Sequence, residues 1–177
     1  VKPKAIFVSA FNTAPLAANP EYALRDEFEH IQTAINALGK LTDGGVNFSL
    51  NSATYSGTPF HKIENVIPHV FTGKHPAGNV GVQIHHISPI RKGETVWTVS
   101  LLMLAAIGKL FNTGKYDLKR KIAVTGPKAN NPAYVEGYPG IAIKDVADFY
   151  NASEDLRFVS GDVLTGTNIG AEGFLGF

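Results

Sequence analysis

Three histidines, His75, His85 and His86, lie within one short stretch, Gly73-Lys-His-Pro-Ala-Gly-Asn-Val-Gly-Val-Gln-Ile-His-His-Ile87. Imidazole moves protons near neutral pH and is the commonest metal ligand, so acid–base catalysis, metal binding and ligand cradling all come into question. The segment Val82 to Ile87 reads as a strand entered from a turn rich in glycine and proline. Neighbouring side chains on a strand point to opposite faces, so His85 and His86 are expected not to share an ion. No carboxylate stands at Glu-x-x-His or similar spacing, and the chain has no cysteine. His75 with one of the strand histidines is the remaining chelating pair, set against one core and one surface histidine.

Other chemistries fail on spacing. A P-loop requires Gly, four residues, then Gly-Lys-Ser/Thr. Gly108 and Gly114-Lys115 stand one residue too far apart, with Tyr116 where the hydroxyl belongs. At Gly73-Lys74 the first glycine is replaced by Pro68 and the hydroxyl by His75. After the first apolar run, Asn12-Thr-Ala-Pro-Leu-Ala17 replaces the Gly-x-Gly-x-x-Gly dinucleotide fingerprint. Ser56-Gly57 and Ser160-Gly161 lack the Gly-x-Ser-x-Gly elbow of a nucleophilic serine. The residual ligand-contacting groups are aromatic: Phe11, Tyr55, Phe60, Phe71, Trp97, Tyr134 and Tyr138. Rings of this kind stack on a flavin or quinone, or simply fill a core. Tyr138-Pro-Gly140 occupies a turn, which favours exposure.

The elements that must position these residues follow from periodicity. Ala5 to Phe11 is a nearly continuous apolar run, the pattern of a parallel strand buried on both faces. Asn19 and Pro20 form an N-cap and first-turn pair. Leu24, Phe28, Ile31, Ile35 and Leu38 then recur at helical spacing up to Gly39, predicting one helix. Val46 to Leu50 is the next strand, so strand, helix and strand make a βαβ unit. Val66 to Phe71, Val82 to Ile87 and Thr95 to Val99 follow as strands, and Leu101 to Phe111 as a buried helix stopping near Gly114.

The charged cluster Lys115, Asp117, Lys119, Arg120 and Lys121 marks a boundary. Beyond it come a strand over Lys121 to Val124, a strand over Ala133 to Glu136, a helix over Ile141 to Tyr150 and a strand over Arg157 to Ser160. That order suits a β-grasp module, a small sheet wrapped on one helix. The expected domains are therefore residues 1–118, Rossmann-like α/β; 119–166, β-grasp; and 167–177, the start of a further segment. The chain begins almost on a strand and stops at Gly-Phe-Leu-Gly-Phe177, so it reads as an excised piece of a longer protein.

Composition narrows the functions. The 177 residues are 44% hydrophobic and 18% charged, with 16 basic against 15 acidic side chains and a net charge of +1. That balance provides no electrostatic footprint for nucleic acid. Without cysteine the chain cannot supply disulfides, thiolate ligands to iron–sulfur clusters or a catalytic thiol. No apolar run reaches the roughly 20 residues that span a bilayer.

His75-Pro-Ala-Gly-Asn-Val-Gly-Val-Gln-Ile-His-His-Ile87, Thr95-Val-Trp-Thr98 and Ala106-Ile-Gly-Lys-Leu-Phe-Asn-Thr-Gly114 together resemble the A subunits of bacterial sodium-translocating NADH:quinone reductases. Phe7-Val-Ser-Ala-Phe-Asn-Thr-Ala-Pro-Leu-Ala-Ala-Asn-Pro20, Val124-Thr-Gly-Pro-Lys-Ala-Asn-Asn-Pro132 and Val159-Ser-Gly-Asp-Val-Leu-Thr-Gly166 extend the likeness over the whole chain. The resemblance reaches further, to the flavin- and NADH-binding subunit of respiratory complex I and the C subunit of the Rnf complex. In those relatives the loop after the first strand carries acidic residues. Asn12-Thr-Ala-Pro-Leu16 carries none, which removes acceptors for ribityl and ribose hydroxyls.

The resemblance implies a Rossmann-like domain that has lost its nucleotide, without a metal site, followed by a soluble-ligand-binding β-grasp domain. It implies a peripheral subunit on the cytoplasmic side of the bacterial inner membrane, inactive as an isolated fragment. FAD, FMN, riboflavin and the iron–sulfur centre are expected on other subunits, with ubiquinone or menaquinone as substrate. The partners it implies are those subunits, chiefly the adjacent membrane subunit. The contact region it suggests for quinone combines Asn12, Thr13, Pro15, Leu16, His75, Pro76, Gly78 and Tyr138. The alternative is a non-catalytic scaffold that docks neighbouring subunits, and a retained flavin site is the third reading.

Overall fold

The computed structural model describes residues 1–146 and 156–176. It divides into two compact units, one of Val1–Thr13 and Asn19–Asp117, the other of Ala14–Ala18 and Leu118–Phe177.

The first unit is built on a four-stranded, all-parallel sheet. Its strands are β1 (Ile6–Ser9), β2 (Val46–Asn51), β3 (Ile67–Phe71) and β4 (Trp97–Thr98), ordered β3-β2-β1-β4. Alternation along the strands sends Ile6, Val8, Val46, Phe48 and Leu50 to one face. There they bury against Ile31, Ala34 and Ile35 of helix α2 (Phe28–Leu38) and Leu101, Leu104 and Ala105 of helix α4 (Leu101–Thr113). The opposite face is thinner: Ala5 and Phe7 pack on Ile84 of helix α3 (Val80–Ile87), flanked by Val80, Ile87 and Val96. Burying a side chain such as Phe48 or Leu104 is worth about 1.5–3 kcal/mol, so the α2–α4 layer carries most of the sheet's stabilisation.

Two sequence expectations change here. The helix predicted from Pro20 to Leu38 is divided into α1 (Pro20–Ala23) and α2. Asn19 caps α1 as expected, its Oδ1 accepting from the Glu21 and Tyr22 amides. The chain then leaves helical geometry at Leu24 and Glu27, and the Glu27 carboxylate meets Lys109 of α4 at 2.7 Å. Apolar spacing carries no information about so distant a partner, so periodicity ran through the break.

The second change is larger. Val82 to Ile87, expected as a strand, belongs to helix α3. Six residues of mixed β-branched and polar type satisfy either period. Tertiary packing chooses the helix, because Val80, Ile84 and Ile87 at i, i+4 and i+7 then face Ala5 and Phe7 together.

In the second unit, β5 (Arg120–Val124) and β6 (Ala133–Gly137) form an antiparallel pair with Ile122 opposite Val135. Lys119 pairs with Glu136 and holds that carboxyl below its ordinary range. A 3-10 turn covers Ile143–Val146, and the rest of the helix expected to Tyr150 lies outside the described residues. The strand expected over Arg157–Ser160 is shorter, β7 (Val159–Ser160), and pairs with β8 (Thr167–Asn168) instead of joining β5 and β6.

Candidate functional site

The carboxyl end of β1 and the amino end of α3 meet around the turn Gly73–Asn79. Parallel sheets place ligand-binding loops at the carboxyl ends of their strands, so this is where a site is sought. β1 delivers Ser9 and then Thr13, and the turn delivers His75 and Gly78. Thr13 Oγ1 lies 3.2 Å from His75 Nδ1 and accepts the Gly78 amide at 3.0 Å. The threonine oxygen has one proton and two lone pairs, so while accepting that amide it can also donate to Nδ1; the imidazole proton then sits on Nε2. An Nε2–H is a donor suited to a carbonyl oxygen.

Backbone approach makes the contact close. A Cβ on Gly78 would stand 2.7 Å from the Thr13 nitrogen and 3.1 Å from the Asn12 Cα. The peptide bond His75–Pro76 is cis.

Behind the turn lies a polar group that the sequence reading did not single out. Gln83 in the first turns of α3 is wholly buried. Its Nε2 donates to Ser9 Oγ at 2.9 Å and to the Ala77 carbonyl at 3.0 Å. Ala77 O only accepts, which settles the orientation of the amide. Ser9 Oγ in turn lies 3.0 Å from Phe11 O and 3.1 Å from Gly78 O, and its single proton serves one of them. A glutamine amid an apolar helical stripe is a signal the sequence does contain, and it is hidden when the segment is read as a strand.

The expected contact residues thus divide. Asn12, Thr13, His75, Pro76 and Gly78 belong to the first unit and converge on this turn. Pro15, Leu16 and Tyr138 belong to the second unit. Leu16 adopts a left-handed φ of 59°, uncommon for a branched side chain, and Tyr138 is 54% exposed. The other two histidines change their relation. On a helix His85 and His86 both lie exposed with their rings edge to face at 5.7 Å, so the opposite-face argument does not apply. Among the described residues no three His, Asp or Glu side chains gather to hold a metal ion. Nor is any helix among them long and apolar enough to cross a membrane.

A second polar contact crosses the same sheet face. Ser9, Ser49 and His69 stand in register on β1, β2 and β3, and His69 Nε2 lies 2.8 Å from Asn47 Oδ1. Since that amide oxygen accepts, His69 carries a proton on Nε2. Burial pushes its pKa below the ordinary histidine value.

Residues 1–116 match the family model described as NqrA second alpha/beta domain, and residues 121–171 the one described as NQRA C-terminal domain. The chain is similar to the A subunit of the Na(+)-translocating NADH-quinone reductase of Rhodopirellula baltica, 38% identical over 93% of this chain and 36% of that protein. The corresponding protein of Vibrio parahaemolyticus is 37% identical over 98% of this chain and 38% of its own length. The chain therefore spans little more than a third of these curated relatives. Among solved structures, an NAD+-reducing [NiFe]-hydrogenase in the air-oxidized state superposes with a TM-score of 0.63. That match covers 100% of this chain and 38% of the other at 15% identity, which speaks to the fold alone.

Proposed function

The chain belongs to the NqrA family, the A subunits of Na(+)-translocating NADH-quinone reductases, and we propose that it works as part of such a reductase by contacting quinone through the Thr13–His75 turn. The observation that carries this reading is the Thr13–His75–Gly78 cluster; with the Thr13 hydroxyl donating to Nδ1, the imidazole Nε2–H is the donor this reading assigns to a quinone carbonyl. Asn12, Pro76 and Gly78 would shape the contact on the same turn. Pro15, Leu16 and Tyr138, in the second unit, are the further quinone contacts of this reading. In it the parent subunit is peripheral on the cytoplasmic side of the inner membrane and adjoins a membrane subunit. Flavins and iron–sulfur centres reside on other subunits, in keeping with a chain that has no cysteine. The domain division at residue 118, with a β-grasp module over 119–166, belongs to the same proposal.

The test is quinone titration of the full-length subunit, together with the His75→Ala variant in the assembled reductase. Saturable binding is expected, and losing one neutral hydrogen bond of about 1 kcal/mol should raise the quinone KM roughly fivefold. No saturable binding, with an unchanged KM in His75→Ala, overturns the reading.

The scaffold reading rests on a different observation. In the second unit Val163 and Leu164 are each 55% exposed and Phe174 63%. Exposed apolar side chains of this kind suit docking to a neighbouring subunit. The loop of Val163 and Leu164 is tied down by Asp162, whose carboxylate accepts the Leu164 and Thr165 amides and the Thr165 hydroxyl.

A further inference from the structure

We infer that Gln83 and Ser9 are positioning residues that hold the His75 turn in its ligand-contacting geometry. The inference rests on the quinone contact proposed above and adds the residues that set it. Two hydrogen bonds and a third contact, which shares the Ser9 proton with the Phe11 carbonyl, tie the turn to the rest of the first unit. Gln83 Nε2 holds the Ala77 carbonyl, Ser9 Oγ lies within bonding distance of the Gly78 carbonyl, and Thr13 Oγ1 takes the Gly78 amide. Ala77 and Gly78 directly follow His75-Pro76, so fixing their peptide groups fixes where the imidazole sits. Gln83 also bonds Ser9, 74 residues away in sequence, and so couples the helix, the strand end and the turn.

Packing alone does not call for an amide at this position. Gln83 is 0% exposed and neighbours Ile84 in the apolar contact with Phe7. Its Oε1 is buried and has no hydrogen-bond partner among the described residues. A buried acceptor left unpaired is destabilising, and leucine would fill nearly the same space without it. The amide is therefore justified by what its other end holds, which is the turn.

This separates positioning from folding and makes Gln83→Leu the informative variant. It removes both bonds to the turn and the strand together with the unpaired oxygen, so the subunit should remain folded. Ser9→Ala removes the second tie, and Ser9→Thr keeps the hydroxyl. All are built into the full-length subunit of the assembled reductase and assayed with a short-chain ubiquinone. The expected result is a quinone KM raised roughly three- to tenfold in Gln83→Leu and Ser9→Ala, with kcat falling by a smaller factor. Ser9→Thr should stay near wild type. Nitrogen resonances of labelled His75 in the full-length subunit should move in Gln83→Leu, reporting loss of the Thr13 partner, while the thermal midpoint is kept. If His75→Ala raises KM but Gln83→Leu and Ser9→Ala do not, the positioning role is overturned and the quinone contact stands. If none of the three moves KM, the quinone contact falls and takes this inference with it.

Discussion

His69 is the residue whose protonation the fold resists. It is partly buried on β3, its Nε2 engaged with Asn47, and desolvation lowers its pKa from the ordinary histidine value of 6.5. The unfolded chain then binds a proton at a pH where the folded one does not. The sign follows from linkage: stability is unaffected above pH 6.5 and declines as pH falls from there toward the lowered folded value. Denaturant midpoints measured between pH 7.5 and roughly pH 5 should therefore fall, and His69→Gln should flatten that part of the curve. A curve equally steep in the variant would assign the loss to other groups. Glu94 acts in the same direction but at lower pH. The Arg91 amide and then Lys4 hold its carboxyl below its usual value, so its contribution is lost only as pH falls through that depressed pKa.

Among elements, the crossing of α2 and α4 is the most demanding fit. A Cβ on Gly108 would lie 1.7 Å from the His30 carbonyl oxygen, so the helices touch backbone to backbone there. Gly→Ala inside a helix ordinarily gains about 1 kcal/mol of propensity. Here the obstruction is backbone, which cannot rotate away, and overpacking costs about 1–3 kcal/mol or more. The clash wins, and Gly108→Ala should lower the denaturant midpoint. A midpoint at or above wild type would mean that the helices separate without loss. The Ser100 cap of α4 is a smaller term. Its Oγ accepts the Met103 amide at 3.2 Å, and Ser100→Ala should cost about 1 kcal/mol by the same measurement. The Ser100 cap was not singled out from the sequence, but α4 lay open to sequence reading, as did β1, β2 and β3, because long apolar periods and apolar runs show in a linear chain. The α2–α4 contact at Gly108 did not, since a glycine in a helix looks the same whether or not another backbone presses on it.

For the whole molecule, the hydrogen-bonded turn belongs to the first unit, while the second carries the proposed contacts Pro15, Leu16 and Tyr138 and also the exposed Val163 and Leu164. Replacing Val163 and Leu164 with aspartate should leave the purified full-length protein's stability within about 0.5 kcal/mol of wild type, as for other exposed positions. Recovery of the other reductase subunits on the affinity-tagged full-length protein should drop sharply. Undiminished recovery would remove these side chains from the docking surface.

By itself the sequence determined the parallel-sheet α/β class, the Asn19 cap of α1, the stop of α4 near Gly114, the lack of thiol chemistry and the family resemblance. These depend on local period, residue type and motif order, which a linear chain displays. It also singled out the Gly73–Ile87 stretch and the residues Thr13, His75 and Gly78. Tertiary structure alone decided that α3 is a helix, that Glu27 breaks the preceding one for Lys109, and that Gln83 reaches Ser9 behind the turn. The reason is physical: a short run of mixed residues has two nearly equal local solutions. The choice comes from contacts with Ala5, Phe7 and Ser9, far away along the chain, whose burial and hydrogen bonds exist only once the chain has folded.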